Sequence, residues 1–172
     1  MEHLRGDGRV AAGGRAVALR AARPEDSDAI ADIWRDGWRD GHVGFVPEAL
    51  ARARTDASFQ VRASQRLDDT TVAVVADAVA GFVMVVDDEV EQVYVSAHHR
   101  GQGIADVLLR GAERQIGANG HRRAWLAVVA GNVRARAFYT RMGWHDEGPF
   151  EYAAHGDDGP ITVPCHRYAR LL

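Results

Sequence analysis

Two periodicities of hydrophobic residues run along the chain and predict that strands and helices are mixed within it. The segments 71–76, 79–86 and 90–95 are rich in β-branched residues and are separated by short turns of acidic or small residues. Such runs are typical of strands, and connections this short favour antiparallel pairing. The sequence therefore predicts three consecutive antiparallel strands in the middle of the chain.

Apolar residues at helical spacing predict four helices. The first follows the Pro-Glu-Asp sequence at 24–26, because proline suits a first turn and acids favour the positive end of the helix dipole. Its apolar stripe includes Trp34, and Gly41 is expected to end it. The other predicted helices cover 48–54, 104–117 and the segment between Asn132 and Gly143.

Shorter apolar runs at 16–20, 124–129, 144–152 and 161–171 predict the remaining strands. Together these elements predict one α+β domain over residues 16–172, with a mixed, mostly antiparallel central sheet. Residues 1–15 combine glycine with mixed charge, and we expect them to form a flexible N-terminal extension.

Composition narrows the class of protein. The 172 residues suit one domain, and 47% hydrophobic with 26% charged residues is a globular balance. A net charge of -3 argues against nucleic acid as a partner, since that role usually requires a basic excess. The single cysteine, Cys165, excludes an internal disulfide and any multi-cysteine metal site. Because no apolar run has the length of a signal peptide or a membrane helix, we expect a cytoplasmic protein without a membrane partner.

A glycine-containing turn at 100–105 lies between a predicted strand and a predicted helix. Free amides in a first helical turn, together with the helix dipole, favour a phosphate or a pyrophosphate. A plain helix-starting turn explains the same residues equally well. A dinucleotide-binding fingerprint is disfavoured because Asp106 occupies the place of its third glycine, and a Walker loop because the chain contains no lysine.

Three motifs in order resemble the GCN5-related N-acetyltransferase (GNAT) superfamily. Arg100-x-x-Gly103-x-Ala105 resembles its pyrophosphate loop, and the segment 91–95 resembles its fourth strand. The spacing of Asn132, Ala135, Tyr139, Gly143 and Trp144 is similar to its fourth-helix signature. The resemblance covers roughly residues 16–172. It implies a sheet of about six to seven strands with about four helices, splayed fourth and fifth strands, and direct transfer of acetyl from acetyl-CoA to a primary amine.

The resemblance also implies a set of cofactor-binding residues. The amides of the 100–105 turn would hold the pyrophosphate, and the unpaired main chain of Val93 and Val95 would pair with pantetheine. Asn132 would contact CoA, cap its helix, or do both. The full expected set is Val93, Tyr94, Val95, Arg100, Gly101, Gln102, Gly103, Ile104, Ala105 and Asn132.

Two residues are expected to move protons. Glu91 is the first candidate for the base that deprotonates the amine, directly or through water, and Glu89 lies nearer the turn and is less well placed. Tyr139 occupies the family position that protonates the leaving thiolate. Simpler interpretations stay open, since Glu91 also fits a solvent-facing strand position and Tyr139 fits a packed aromatic.

The acceptor is expected to be a small-molecule amine or a peptide N-terminus. Aromatic and acidic residues suit a cation, and the candidates for binding it are Trp38, Phe45, Glu91 and Tyr152. A solvated loop with a few core aromatics explains the same residues. No metal ligand pattern is present, and a homodimer is compatible with such a domain although no sequence feature indicates it. The alternative function is a non-catalytic acetyl-CoA-binding sensor or regulatory module.

Overall fold

The computed structural model describes residues 9–12 and 15–172, with side chains from residue 16 onward. The described strands form one eight-stranded sheet in the order β1-β2-β3-β4-β5-β6-β8-β7. Neighbouring strands pair antiparallel except β5 and β6, which are parallel. The strands are β1 Arg9–Ala12, β2 Arg15–Ala21, β3 Thr70–Val75, β4 Ala78–Val86, β5 Glu89–Val95, β6 Arg123–Val129, β7 His145–Gly156 and β8 Gly159–Leu171. The α+β class with a mostly antiparallel sheet is confirmed, including the three consecutive strands β3 to β5.

Helices cover both faces of the sheet. Trp34 and Phe59 form one core with Phe82 of β4, whereas Leu108 and Ile116 pack on the opposite face. The described helices are α1 Ser27–His42, α2 Glu48–Ala53, α3 Asp56–Gln65, α4 Ile104–Ala118 and α5 Val133–Arg141. The first three belong to the Trp34 core, and α4 and α5 belong to the other. Any site that crosses the sheet therefore has one helical layer on each side.

The N-terminal segment differs in part from the expected extension. Residues 1–8 and 13–14 lie outside the described residues. Arg9–Ala12, however, forms β1, which pairs antiparallel with β2 from Arg9 opposite Ala18 to Ala12 opposite Arg15. The sheet therefore gains a strand from a segment that the sequence pattern assigned to an extension.

Sequence analysis missed α3 altogether. Only Phe59 and Ala63 of this helix are buried, so its apolar stripe is too sparse to produce a helical period. Thr55 does carry a local start signal, because its hydroxyl accepts a hydrogen bond from the Ser58 amide at 3.1 Å. The helix forms because Phe59 packs edge-on to Trp34, with ring centroids 5.9 Å apart.

The last two strands form a longer hairpin than predicted. Their pairing reaches Gly156 opposite Gly159, so the segment between the two predicted strands is reduced to a two-residue turn at Asp157 and Asp158. Residues of β7 alternate between exposed and partly buried positions, which is the pattern of an edge strand.

The parallel strands β5 and β6 diverge. They share one paired position, Glu89 with Trp125, and the Trp125 amide also donates to the Asp88 carbonyl at 3.0 Å. On its other side, β5 pairs with β4 along its length apart from the extra residue Glu91, and β6 pairs with β8 from Arg123 to Val129. In the described structure, the edges of β5 and β6 that face each other therefore have no pairing partners from this position towards Val95 and Val129. These two strands are the fourth and fifth strands of the resemblance, so the expected splay is confirmed.

Candidate active site

The 100–105 turn connects β5 to α4 through two glycines with left-handed backbone. Gly101 has φ of 76° and Gly103 has φ of 77°, a region that non-glycine residues rarely adopt. Helix α4 begins at Ile104, so the amides of its first turn have no partners within the helix. The Arg100 guanidinium donates a hydrogen bond to the carboxylate of Asp40 in α1 at 2.7 Å. This arrangement presents backbone donors and a helix N-terminus on one side of the turn.

Beside this turn lies a cavity of about 860 Å³, which we call the outer cavity. It extends from the first turn of α4 to the free edge of β5 and the start of α5. Of the ten residues expected to bind cofactor, nine line it: Val93, Tyr94, Val95, Arg100, Gly101, Gly103, Ile104, Ala105 and Asn132. Gln102 is the exception, because its side chain turns back to donate to the His98 carbonyl at 3.3 Å.

Asn132 caps α5. Its side-chain oxygen accepts a hydrogen bond from the Ala135 amide at 3.1 Å, as the sequence suggested. A Cβ on Gly41 of α1 would lie 2.8 Å from the Asn132 amide nitrogen. Glycine at this position therefore allows α1 to approach the cap that begins α5, and the cap residue lies where the two helical layers meet.

Tyr139 is packed among aromatic rings. Its ring lies 5.2 Å from Phe138, 6.2 Å from Trp144 and 6.0 Å from Tyr168, measured between centroids. Burial raises the pKa of its phenol to about 12, so the hydroxyl stays protonated at neutral pH. The residue lines the outer cavity and also a second cavity.

That second cavity of about 160 Å³, the inner cavity, lies between α1–α3 and the splayed strands. Trp38, Glu91 and Tyr152, three of the four residues expected to bind the acceptor, line it. Phe45, the fourth, lies apart from them at the outer cavity, where its 51% exposed ring packs against Gly131. The inner and outer cavities are lined in common by Val93, Tyr94, Asn132, Ala135 and Tyr139. These five residues are the junction of the two cavities.

Two carboxylates line the inner cavity near the point where the strands diverge. Glu91 is the extra residue of a β-bulge, since Met84 faces Gln92 and Val85 faces Val90, and its carboxylate pairs with Arg66. Glu89 accepts a hydrogen bond from the Tyr152 hydroxyl at 2.9 Å. Burial raises the pKa of Glu89 despite that hydrogen bond, which lowers it. Burial therefore favours the protonated form of Glu89.

Further polar residues line the inner cavity, and sequence reasoning missed two of them, Arg54 and Arg62. His42 stacks on Trp38 with ring centroids 5.0 Å apart, and its Nδ1 donates to the Trp38 carbonyl at 3.0 Å. Burial lowers the pKa of His42 to about 4, so it is neutral at pH 7. Arg54 and Arg62 also line this cavity. Both residues lie on or beside helices of the α2–α3 region, and the apolar pattern of α3 is too sparse to predict that helix.

Two features are absent from the part of the chain that the structure describes. Among them, no cluster of three or more His, Cys, Asp or Glu side chains is arranged to hold a metal ion. Within the same residues, no helix combines the length and the apolar composition needed to cross a bilayer.

The family follows from a sequence match that spans most of the domain. Residues 27–144 match the model of the Acetyltransferase (GNAT) family. Because this match covers more than half of the chain, the chain belongs to the GNAT family of acetyltransferases. No curated protein matches the sequence.

Solved structures share the fold at low sequence identity. A GCN5-related N-acetyltransferase from Rhodopseudomonas palustris aligns with a TM-score of 0.71 and 21% identity, covering 96% of this chain and 98% of that one. YncA from Salmonella typhimurium, a putative acetyltransferase with its cofactor acetyl-CoA, aligns with a TM-score of 0.67 and 17% identity, covering 91% and 94%. A phosphinothricin acetyltransferase from Sinorhizobium meliloti in complex with AcCoA aligns with a TM-score of 0.66 and 21% identity, covering 91% and 88%.

Proposed function

We propose that this protein transfers the acetyl group of acetyl-CoA directly to a primary amine. The observation that carries the proposal is the junction, where the two cavities meet across the gap between β5 and β6. A cofactor in the outer cavity and an acceptor in the inner cavity would meet beside Tyr139. The solved acetyl-CoA complexes of YncA and of the phosphinothricin acetyltransferase add support for the co-substrate.

The outer cavity suits two parts of coenzyme A, the diphosphate and the pantetheine arm. First-turn amides of α4 and the turn glycines offer donors for the diphosphate. The free edge of β5 at Val93 and Val95 offers main-chain groups that match the amides of pantetheine. An amide on the same strand edge is suited to polarise the thioester carbonyl as negative charge develops on its oxygen.

The reaction moves three protons. The amine, an ammonium ion in water, first gives a proton to a carboxylate of the inner cavity. Its nitrogen then attacks the thioester carbonyl carbon, so that a C–N bond forms and the C–S bond breaks. Tyr139, which stays protonated at neutral pH, gives its proton to the departing sulfur. The second proton that the nitrogen loses as it becomes an amide restores the phenol of Tyr139. No acyl-enzyme is needed.

Glu89 is assigned the role of proton acceptor in this scheme, in preference to the earlier candidate Glu91. The Glu91 carboxylate is already engaged by the Arg66 guanidinium, whereas Glu89 is bonded by the neutral Tyr152 hydroxyl. Burial raises the pKa of Glu89, which favours uptake of a proton there.

Exchanging each carboxylate for its amide separates the two roles. We expect Glu89→Gln to lower kcat/KM for the amine by about 100-fold or more and to remove the acidic limb of its pH profile. Glu91→Gln is expected to keep that limb, because it leaves Glu89 in place. The measurement is kcat/KM against pH for both variants. Loss of the limb in Glu91→Gln alone would return the base to Glu91.

A thiol-release screen tests the function itself. Purified protein is mixed with acetyl-CoA and a panel of small primary amines, aminoglycosides and peptides with free N-termini, and calorimetry measures CoA binding in parallel. Release of CoA that depends on an amine supports transfer. Tight CoA binding without release by any amine would instead support the alternative, a non-catalytic acetyl-CoA sensor.

A further inference from the structure

Two arginines from the α2–α3 region face the inner cavity. Arg54 follows the last residue of α2, and Arg62 lies in α3 one turn after the buried Phe59. Both side chains are partly buried. The cavity that we assign to the acceptor is therefore lined by two positive charges.

Neither guanidinium has a carboxylate partner within residues 16–172. Arg54 donates to a backbone oxygen, the His155 carbonyl, at 2.7 Å. Arg62 lies over the Trp34 ring at 5.1 Å, and its Nε is buried without a hydrogen-bond partner. Most other arginines of the same layer are paired: Arg35, Arg39, Arg52 and Arg66 each contact an aspartate or a glutamate.

The surrounding charges do not neutralise this pair. Glu91 attracts Arg62 but is bonded to Arg66, and Asp157 attracts Arg54 from an exposed turn. Burial lowers the pKa of both arginines, to about 10 for Arg54, and the charge of Arg62 lowers the pKa of Arg54 further. Both remain cationic at neutral pH. Buried charge without a partner is unfavourable, so an anion placed here would regain the lost stabilisation.

We infer that the acceptor is a small zwitterionic amine, whose carboxylate or phosphonate binds between Arg54 and Arg62 while its amino group lies at the junction. This inference rests on the proposed transfer reaction. Guanidinium forks match the planar oxygens of a carboxylate or the oxygens of a phosphonate, and such charge-assisted bonds give both affinity and orientation. Glu89 also lines the inner cavity, and its carboxylate suits an ammonium group.

The size of the inner cavity favours an amino-acid-like molecule over a peptide. About 160 Å³ accommodates a small ligand, and the free carboxylate of an amino acid lies within two bonds of its amine-bearing carbon. In a peptide N-terminus that carboxylate is converted to an amide, which gives the two arginines no negative charge to bind. Efficient acetylation of peptide N-termini would therefore contradict this inference.

The test is a thiol-release assay with matched sets of acceptors. Each set contains one proteinogenic L-amino acid, its carboxamide, the amine left after removal of the carboxylate, the corresponding aminophosphonate, and a dipeptide amide with the same N-terminal residue. We expect the best acceptor to be an anion whose kcat/KM exceeds that of its carboxamide by about tenfold or more.

Substitutions of the two arginines test whether they cause the preference for an anionic acceptor. Arg54→Met and Arg62→Met are expected to raise KM for that acceptor by about 10- to 100-fold with KM for acetyl-CoA unchanged, because each removes one charge-assisted contact. Arg62→Lys keeps a cation and is expected to lose less. The matched control is Arg52→Met on α2, since Arg52 is 69% exposed and pairs only with Glu48. Circular dichroism of each variant verifies the fold.

The outcomes separate this inference from the transfer reaction. Amine-dependent release that is as fast with carboxamides, decarboxylated amines or dipeptide amides overturns the zwitterionic acceptor and leaves the transfer reaction standing. Unchanged KM in both methionine variants overturns the arginine site. If no acceptor releases thiol, the proposed transfer reaction is wrong, and calorimetry with the same amino acids and aminophosphonates then tests the arginine site alone. Saturable binding that Arg62→Met abolishes supports the arginine site, and the absence of binding overturns it.

Discussion

Replacing Tyr139 with phenylalanine is expected to lower kcat by about 100-fold or more, because general acid catalysis typically contributes that much. The phenol lies at the junction of the two cavities, and burial raises its pKa to about 12, so it holds a proton that the leaving thiolate can take. Phenylalanine keeps the ring contacts with Phe138 and Trp144 and removes only the hydroxyl. Steady-state kinetics with saturating amine measure the effect, and KM for acetyl-CoA is expected to stay within about twofold, since uniform binding is not changed.

The control is the same chemical change on a neighbouring ring. Tyr168 packs 6.0 Å from Tyr139, is buried, and lines neither cavity. Tyr168→Phe therefore removes a hydroxyl from the same aromatic cluster without touching the proposed reaction, and its kcat should remain near that of the parent. If Tyr139→Phe and Tyr168→Phe turn over equally well, the hydroxyl of Tyr139 has no role in proton transfer and the residue only packs.

Local signals in the sequence predicted the elements that hold the cofactor side of the site. The start of α4 was predicted because glycines at 101 and 103 interrupt one periodicity and Ile104 begins another. The cap at Asn132 was predicted for the same reason, since capping depends on residues only three positions apart. Features set by neighbouring residues in sequence are therefore the ones that sequence reasoning recovers.

The acceptor side depends on contacts between distant segments, and much of it was not predicted. Arg62 became a candidate only once α3 was found to pack on Trp34, because the helix itself has a weak apolar pattern. Phe45 was assigned by position in a connecting loop, but that loop lies over Gly131 at the outer cavity. The preference for Glu89 over Glu91 depends on Arg66, which is 25 residues away in sequence from Glu91. No local pattern reports such a pairing.

Replacing Gly103 with alanine is expected to raise KM for acetyl-CoA by about 10- to 100-fold, the size of one or two lost charge-assisted hydrogen bonds. Gly103 has φ of 77° and immediately precedes α4, so its backbone sets the direction of the amides that the proposal assigns to the diphosphate. An L-residue at this φ costs about 1–2 kcal/mol, and the backbone relieves that strain by rotating. Rotation would turn the donors away from the cavity. Kinetics at varied acetyl-CoA, with calorimetry for CoA alone, measure the loss.

Strain by itself must be distinguished from loss of the anion site, and Gly120→Ala makes that distinction. Gly120 has φ of 93°, follows the other end of α4, and has no atom within 4 Å of an added Cβ. Its alanine variant should lose thermal stability much as Gly103→Ala does, yet bind CoA as the parent protein does, because Gly120 lines neither cavity. Equal weakening of CoA binding in both variants would mean that general destabilisation is responsible. Unaltered CoA binding in Gly103→Ala would show that the amides of this turn do not bind the diphosphate, because reorienting them would then have no effect on affinity.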